Sequence, residues 1–177
     1  MPEAGAAWWE SNLKPDLSQG DVVLDLPFWA PLPSNPPLQK ETIPGGRTVW
    51  TEVDAPRVDD DGIYYLLART RRAPGVILTH DCEIDKKRRS SRIQVAILLP
   101  LERLHASEKA AVIGQGKYAH LVLPDVPEIG IHYLDFQVQV TLDRRIIDGQ
   151  RRIASMADAG IKRLGAQLVA YFLRLSP

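Results

Sequence analysis

A single cysteine, Cys82, stands among 177 residues. It has no partner for a disulfide within the chain, which excludes a stapled secreted scaffold. No apolar run approaches the roughly 20 residues that span a bilayer. The opening residues 1–10, with Trp8 and Trp9, lack the basic start and long apolar stretch of a secretory signal. Neither sign of charge is in excess: Lys plus Arg number 22 and Asp plus Glu number 22, so the formal net charge is zero. Non-specific nucleic-acid binding favours a global basic surplus, so such a partner requires a local patch here. No glycine-rich strand-to-helix turn is present, which argues against a dinucleotide or P-loop site. A cytoplasmic protein with no membrane segment and no cofactor is the expectation.

What is present is ordinary globular composition, 45% apolar and 25% charged. A chain of this length supports one domain that buries roughly 70% of its unfolded surface. The texture suggests an arm over 1–18 and a single domain over 19–177. Gln19-Gly20-Asp21 followed by Val22-Val23-Leu24 reads as a turn into a first strand. Residues 27–37 carry five prolines, which lack the N–H a sheet ladder needs, so this stretch reads as a loop or edge segment. Residues 47–53 and 63–68 are rich enough in β-branched and aromatic side chains to be strands. The intervening Asp59-Asp60-Asp61-Gly62 reads as a turn.

Residues 75–79 and 93–99 are short apolar runs of the length expected for buried central strands. A mixed segment over 101–113 has helical character and stops at Gly114 and Gly116. Residues 119–123 form another short strand, ended by Pro124. Residues 135–142 alternate polar and apolar, as a half-buried strand does. Ile153, Ala157, Ile161, Leu164, Leu168, Phe172 and Leu175 recur at steps of four and three, which predicts a helix over 156–175 with Ser155 and Asp158 near its start. Short strands with one closing helix predict a mainly β chain with some α structure: a small curved β-barrel closed by a C-terminal amphipathic helix.

This order of elements resembles the MazF/PemK-type toxins, and the resemblance implies their fold, a small SH3-like β-barrel with a C-terminal helix. Gln19-Gly20-Asp21-Val22-Val23 is similar to that family's first-strand signature. Gly75–Thr79 and Val95–Pro100 fall where its central strands lie, and Leu134–Val140 through Ile147 resembles its late strand. The resemblance covers residues 19–26 and 75–175. The family's enzymes open the central strand with Arg-Pro, where this chain has Ala73-Pro74 with Arg72 one residue earlier. They follow the proline of the next strand with Ser or Thr, where this chain has Leu101. The resemblance implies a divergent bacterial relative, metal-independent cleavage of single-stranded RNA, an antitoxin-like partner and a homodimer.

The densest set of reactive groups is Thr79-His80-Asp81-Cys82-Glu83, followed by Lys86-Lys87-Arg88-Arg89 and Arg92. Four readings compete for it. Cys82 is a nucleophile if the His80 imidazole or a cationic cluster favours its thiolate, although Asp81 and Glu83 oppose that. His80, Cys82 and a carboxylate are acceptable metal ligands, but no paired ligand spacing accompanies them. Lys86, Lys87, Arg88, Arg89 and Arg92 form a phosphate-binding run, as loops of this kind do in the related toxins. In the fourth reading the segment is structural, with Cys82 a small hydrophobe and the basic run solvated.

For RNA cleavage, Arg72 or Arg92 is the candidate for stabilising the phosphorane and His80 or Asp81 for the general base. The alternative is a non-catalytic protein-interaction module working through Trp8, Trp9 or the 27–37 loop. A cysteine-dependent enzyme built on Cys82 is third.

Overall fold

The computed structural model describes residues 7–31, 37–52, 65–66, 68–84, 92–114 and 118–173. Asp59–Gly62, Lys86–Arg89, Gly116, Arg174 and Leu175, together with 32–36 of the proline-rich stretch, lie outside them. The chain divides into two compact units, Met1–Phe28 together with Arg72–Pro177, and Trp29–Arg71.

The first unit is built on a six-stranded sheet. Its strands are β1 (Val22–Pro31), β5 (Ala68–Ile77), β6 (Arg92–Pro100), β7 (His120–Val126), β8 (Gly130–Asp143) and β9 (Arg152–Ala154), in the order β7-β8-β6-β5-β1-β9. β1 and β5 each continue into the second unit. β7 and β9 are the outer strands, so among the described residues hydrogen bonding does not close the sheet. In the second unit β2 (Pro37–Ile43) lies between β3 (Arg47–Glu52) and β4 (Tyr65–Leu66). The tight β2–β3 turn uses Gly45 and Gly46 at φ +96° and +76°, a backbone region that only glycine enters freely.

Both faces of the large sheet are covered, because alternate residues of each strand point to opposite sides. Val22, Val76, Ala96 and Leu98 belong to one buried cluster; Val23, Ile77, Val95 and Ile97 belong to the other. β8 serves both through an irregularity. Ala96 pairs with Gln139 but Ile97 pairs with Asp135, so three residues, 136–138, are extra on β8. An odd insertion reverses which alternate positions face each side. Leu134 and Phe136 therefore enter the first cluster and Val140 and Leu142 the second. The regular alternation over 135–142 hides this break, which Gln139 braces by donating from Nε2 to Phe136 O at 2.6 Å.

Among the described residues four helices accompany the sheets: α1 (Asp81–Ile84), α2 (Ala106–Ile113), α3 (Arg144–Asp148) and α4 (Asp158–Leu173). Residues 144–147, expected to continue the late strand, turn into α3 because the Asp143 side chain caps it by accepting the Arg145 N–H at 2.9 Å. α4 is the expected C-terminal helix, with Leu164 fully buried and Ile161 and Leu168 half-buried on the first cluster. Phe172, expected on that face, is 64% exposed, and Tyr171 packs in its place, 5.6 Å from the Phe136 ring centre. Seven residues nearly complete two helical turns, so Tyr171 rather than Phe172 falls in line with Leu164.

Ser155 does not cap α4. Its backbone carbonyl accepts the Glu10 N–H and its hydroxyl accepts the Lys14 N–H, which pins the N-terminal segment to the sheet. Trp8 and Trp9 pack against the first cluster, and Trp9 Nε1 donates to Pro124 O at 2.8 Å. Pro27–Pro31, read as loop, continues β1, whereas β7 runs on through Pro124 to Val126. No helix among the described residues is long and apolar enough to cross a membrane.

Candidate functional site

The reactive segment leaves the sheet at the end of β5. The Leu78 N–H still donates to Gln94 O, and at the next residue the Thr79 hydroxyl substitutes for backbone by accepting the Gln94 N–H at 2.7 Å. The His80 carbonyl then accepts from the Glu83 and Ile84 N–H groups, closing the single turn of α1. Two anchors hold that turn. Ile84 is buried in the second cluster, and Asp81 Oδ1 accepts the Gln19 N–H while Gln19 Nε2 donates to Leu78 O.

His80 and Cys82 are both exposed on this turn. His80 Nδ1 accepts the Cys82 N–H at 3.3 Å and lies 3.2 Å from Cys82 Sγ. An imidazole nitrogen that accepts an amide proton carries none itself, so the ring proton belongs on Nε2 and the thiol is the donor to Nδ1. The turn thus presents an imidazole and a thiol side by side to solvent. Among the described residues no group of three His, Cys, Asp or Glu side chains is placed to hold a metal ion.

The arginines around this turn were only partly legible. Arg92, exposed, opens β6 and pairs with Asp143 at the end of β8. Next to it, Arg144 on α3 donates from Nη1 to Ile84 O at 3.2 Å, which joins α3 to the end of α1. Arg145 is 89% exposed and forms a two-point pair with Asp143 at 2.9 and 3.1 Å. That pair holds the Asp143 carboxyl down at about 2, first through the Arg145 side chain and then through its N–H. Arg144 in turn pairs with Asp148 at 3.5 Å. One end of the sheet therefore gathers His80, Asp81, Cys82, Arg92, Arg144 and Arg145. The sequence signal for the last two was present as Asp-Arg-Arg, a capping residue followed by a basic pair.

Arg72 stands apart. β5 and β6 are antiparallel, with Gly75 opposite Ile97 and Ile77 opposite Val95. The early part of β5 therefore lies toward Pro100, and five residues of strand, roughly 16 Å, separate Arg72 from Ile77. Arg72 and His80 are at opposite ends of the sheet. The Lys86–Arg89 run lies outside the described residues, which resume at Arg92. Neither the scan against protein-family models nor the search of the curated proteins finds a match for this chain.

Histidines without a recognisable spacing also acquired partners. His120 Nε2 lies 3.8 Å from Asp135 Oδ1 across the β7–β8 pair, and its ring meets Tyr133 edge-on. Asp21 is fully buried, accepting from the Ser18 N–H and from Arg152 Nη1, each at 2.8 Å. These contacts bind strands and the N-terminal segment together rather than facing solvent.

Proposed function

We propose that this chain is a MazF/PemK-like protein directed at single-stranded RNA, built as a partly open SH3-like barrel, with its working surface at the His80 end of the sheet. The observation that carries the reading is the gathering of Arg92, Arg144 and Arg145 around an exposed imidazole. Arginine suits phosphate because its guanidinium donates in a planar fork. Asp148 and Asp143 hold Arg144 and Arg145 in place. In cleavage, His80 takes the 2′-hydroxyl proton on Nδ1 once the Cys82 thiol and the Cys82 N–H have both released that nitrogen. The 2′ oxygen attacks phosphorus, the 5′ oxygen leaves with a proton from water, and Arg92 and Arg144 stabilise the phosphorane. Arg72, at the far end, takes no part in that step. An antitoxin-like partner and a homodimer belong to the same proposal through the resemblance.

The test uses purified protein, mixed single-stranded RNA and the variants His80→Ala, Cys82→Ser and Arg92→Ala. Cleavage lost in His80→Ala and kept in Cys82→Ser supports the reading. Arg92→Ala should also flatten the salt dependence of RNA binding by about 0.7 in log–log slope, the loss of one phosphate contact on a single strand. RNA binding whose salt slope is the same in all forms, without cleavage, sinks it.

A second reading is favoured by the 3.2 Å contact between Cys82 Sγ and His80 Nδ1. A thiol that donates to an imidazole is the resting arrangement of a cysteine nucleophile and its base. Stoichiometric alkylation of Cys82 that slows at least tenfold in His80→Ala would favour this reading over RNA cleavage.

A further inference from the structure

At the other end of β6, away from His80, the sheet carries a cavity of about 390 Å³. That is within the range of small-ligand sites. Pro100 ends β6 opposite His132, and the chain then makes a tight turn over Leu101–Arg103 before α2. Leu101, Ile129 and Ile131 supply apolar wall; Glu102, Lys109 and His132 supply polar groups.

His132 is the most informative of these. Its side chain is only 6% exposed, and Nδ1 donates to Gly130 O at 3.2 Å, which fixes the tautomer. Nε2 therefore keeps its lone pair. Among the described residues no hydrogen bond from a protein donor reaches it, and His132 lines the cavity. Burial also lowers the imidazole's proton affinity below its ordinary value, keeping the ring neutral. A nitrogen acceptor with no protein donor, on a residue that lines a ligand-sized cavity, suits a ligand that donates.

The cavity thus offers two acceptors, His132 Nε2 and the Glu102 carboxylate, and one strong donor, the Lys109 ammonium. The complementary ligand is a flat ring whose edge carries one acceptor and two donors. Among the RNA bases guanine has that edge: O6 accepts, and N1–H and N2–H donate. Adenine's edge has one donor and one acceptor, whereas uracil and cytosine each have two acceptors and one donor. We propose that this cavity binds a guanine base, with Lys109 on O6, Glu102 and His132 on the N–H donors, and Leu101, Ile129 and Ile131 against the ring. Resting on the RNA-directed reading for its source, the base would belong to a strand lying along β6. Eight residues of strand, roughly 26 Å, separate Pro100 from Arg92, so the guanine selects the strand and is not the nucleotide attacked. A free guanine nucleotide presents the same edge.

The experiment is calorimetric titration of the full chain with guanosine, inosine and adenosine, and with two nine-residue oligouridylates carrying one central G or one central A. Guanosine should bind about tenfold tighter than adenosine, and inosine, without the N2 amine, should fall between them. Glu102→Gln, a change at an exposed side chain that leaves the core intact, should weaken guanosine about tenfold. Lys109→Met should weaken it less. A preference for the G oligonucleotide over free guanosine assigns the base to RNA. Free guanosine bound with no added affinity for the oligonucleotide assigns it to a nucleotide, upholding the cavity while the RNA-directed reading fails. Equal affinity for guanosine and adenosine, or indifference to Glu102→Gln, overturns the guanine site, even if the A and G strands both bind through the arginine end.

Discussion

Two buried polar residues carry the sharpest consequences at the level of single side chains. His132 has its proton affinity lowered by burial, so the unfolded chain binds a proton more readily than the folded one. Stability from this group is complete above its ordinary value of 6.5. It is lost as pH falls through 6.5 towards the folded value. We expect the urea midpoint to drop below about pH 6.5 and the drop to shrink in His132→Gln. An unchanged pH slope in that variant would show that the imidazole is not held neutral. Asp21 presents a different case: it is fully exposed to no solvent and depends on Arg152, while its Oδ1 lacks a partner among the described residues. Replacing Arg152 by Met strands that carboxylate and should cost about 3 kcal/mol in urea unfolding. Neither role was legible in sequence. Asp21 reads as a turn residue before a strand, and its partner is 131 positions away. His80, Asp81 and Cys82 were legible as a cluster, because local sequence alone brings them onto one turn.

At the level of elements, the sequence carried what repeats and missed what interrupts. The apolar runs of β5 and β6 and the periodic face of α4 announce themselves, since burial imposes its period on every position. The three extra residues in β8 do not, because an alternating pattern looks the same on either side of an odd insertion. α3 was missed for a related reason: a five-residue helix is too short for periodicity, and only the capping carboxylate of Asp143 signals it. α4 offers a controlled test of packing against propensity. A Cβ on Gly160 would sit 2.8 Å from Trp8 O and 3.2 Å from Met156 Cβ, whereas one on Gly165 meets nothing within 4 Å. Alanine is favoured over glycine in a helix by about 1 kcal/mol. Gly165→Ala should therefore stabilise the protein by roughly 0.5–1 kcal/mol. Gly160→Ala should destabilise it by about 1–3 kcal/mol as the N-terminal segment is pushed from the helix. Chemical denaturation of the two variants measures both, and shifts of the same sign would mean that Trp8 does not press on α4.

Across the whole molecule, the expectation of one domain over 19–177 meets a chain with two compact units, the smaller of which interrupts the larger between Phe28 and Arg72. Composition gave no warning, because Trp50 and the polar β2 look like any other strand material. Among the residues whose burial is described, every fully or nearly fully buried hydrophobic side chain belongs to the larger unit. Trp29 and Trp50, in the smaller unit, are 45% and 48% exposed. All three core clusters of the described residues, the Asp21–Arg152 pair and the candidate site at His80 are likewise contained in the larger unit. If cooperativity follows the buried core, replacing 29–71 by a short Gly-Ser linker should leave a single sharp thermal transition with the α4 helical signal intact. It should lower the midpoint by no more than several degrees, as a loss of about 1 kcal/mol would. The two packed tryptophans, Trp8 and Trp9, would then report the transition alone, free of the exposed pair. A broad, non-cooperative melt of the shortened chain would mean that the larger unit draws its stability from the 29–71 segment.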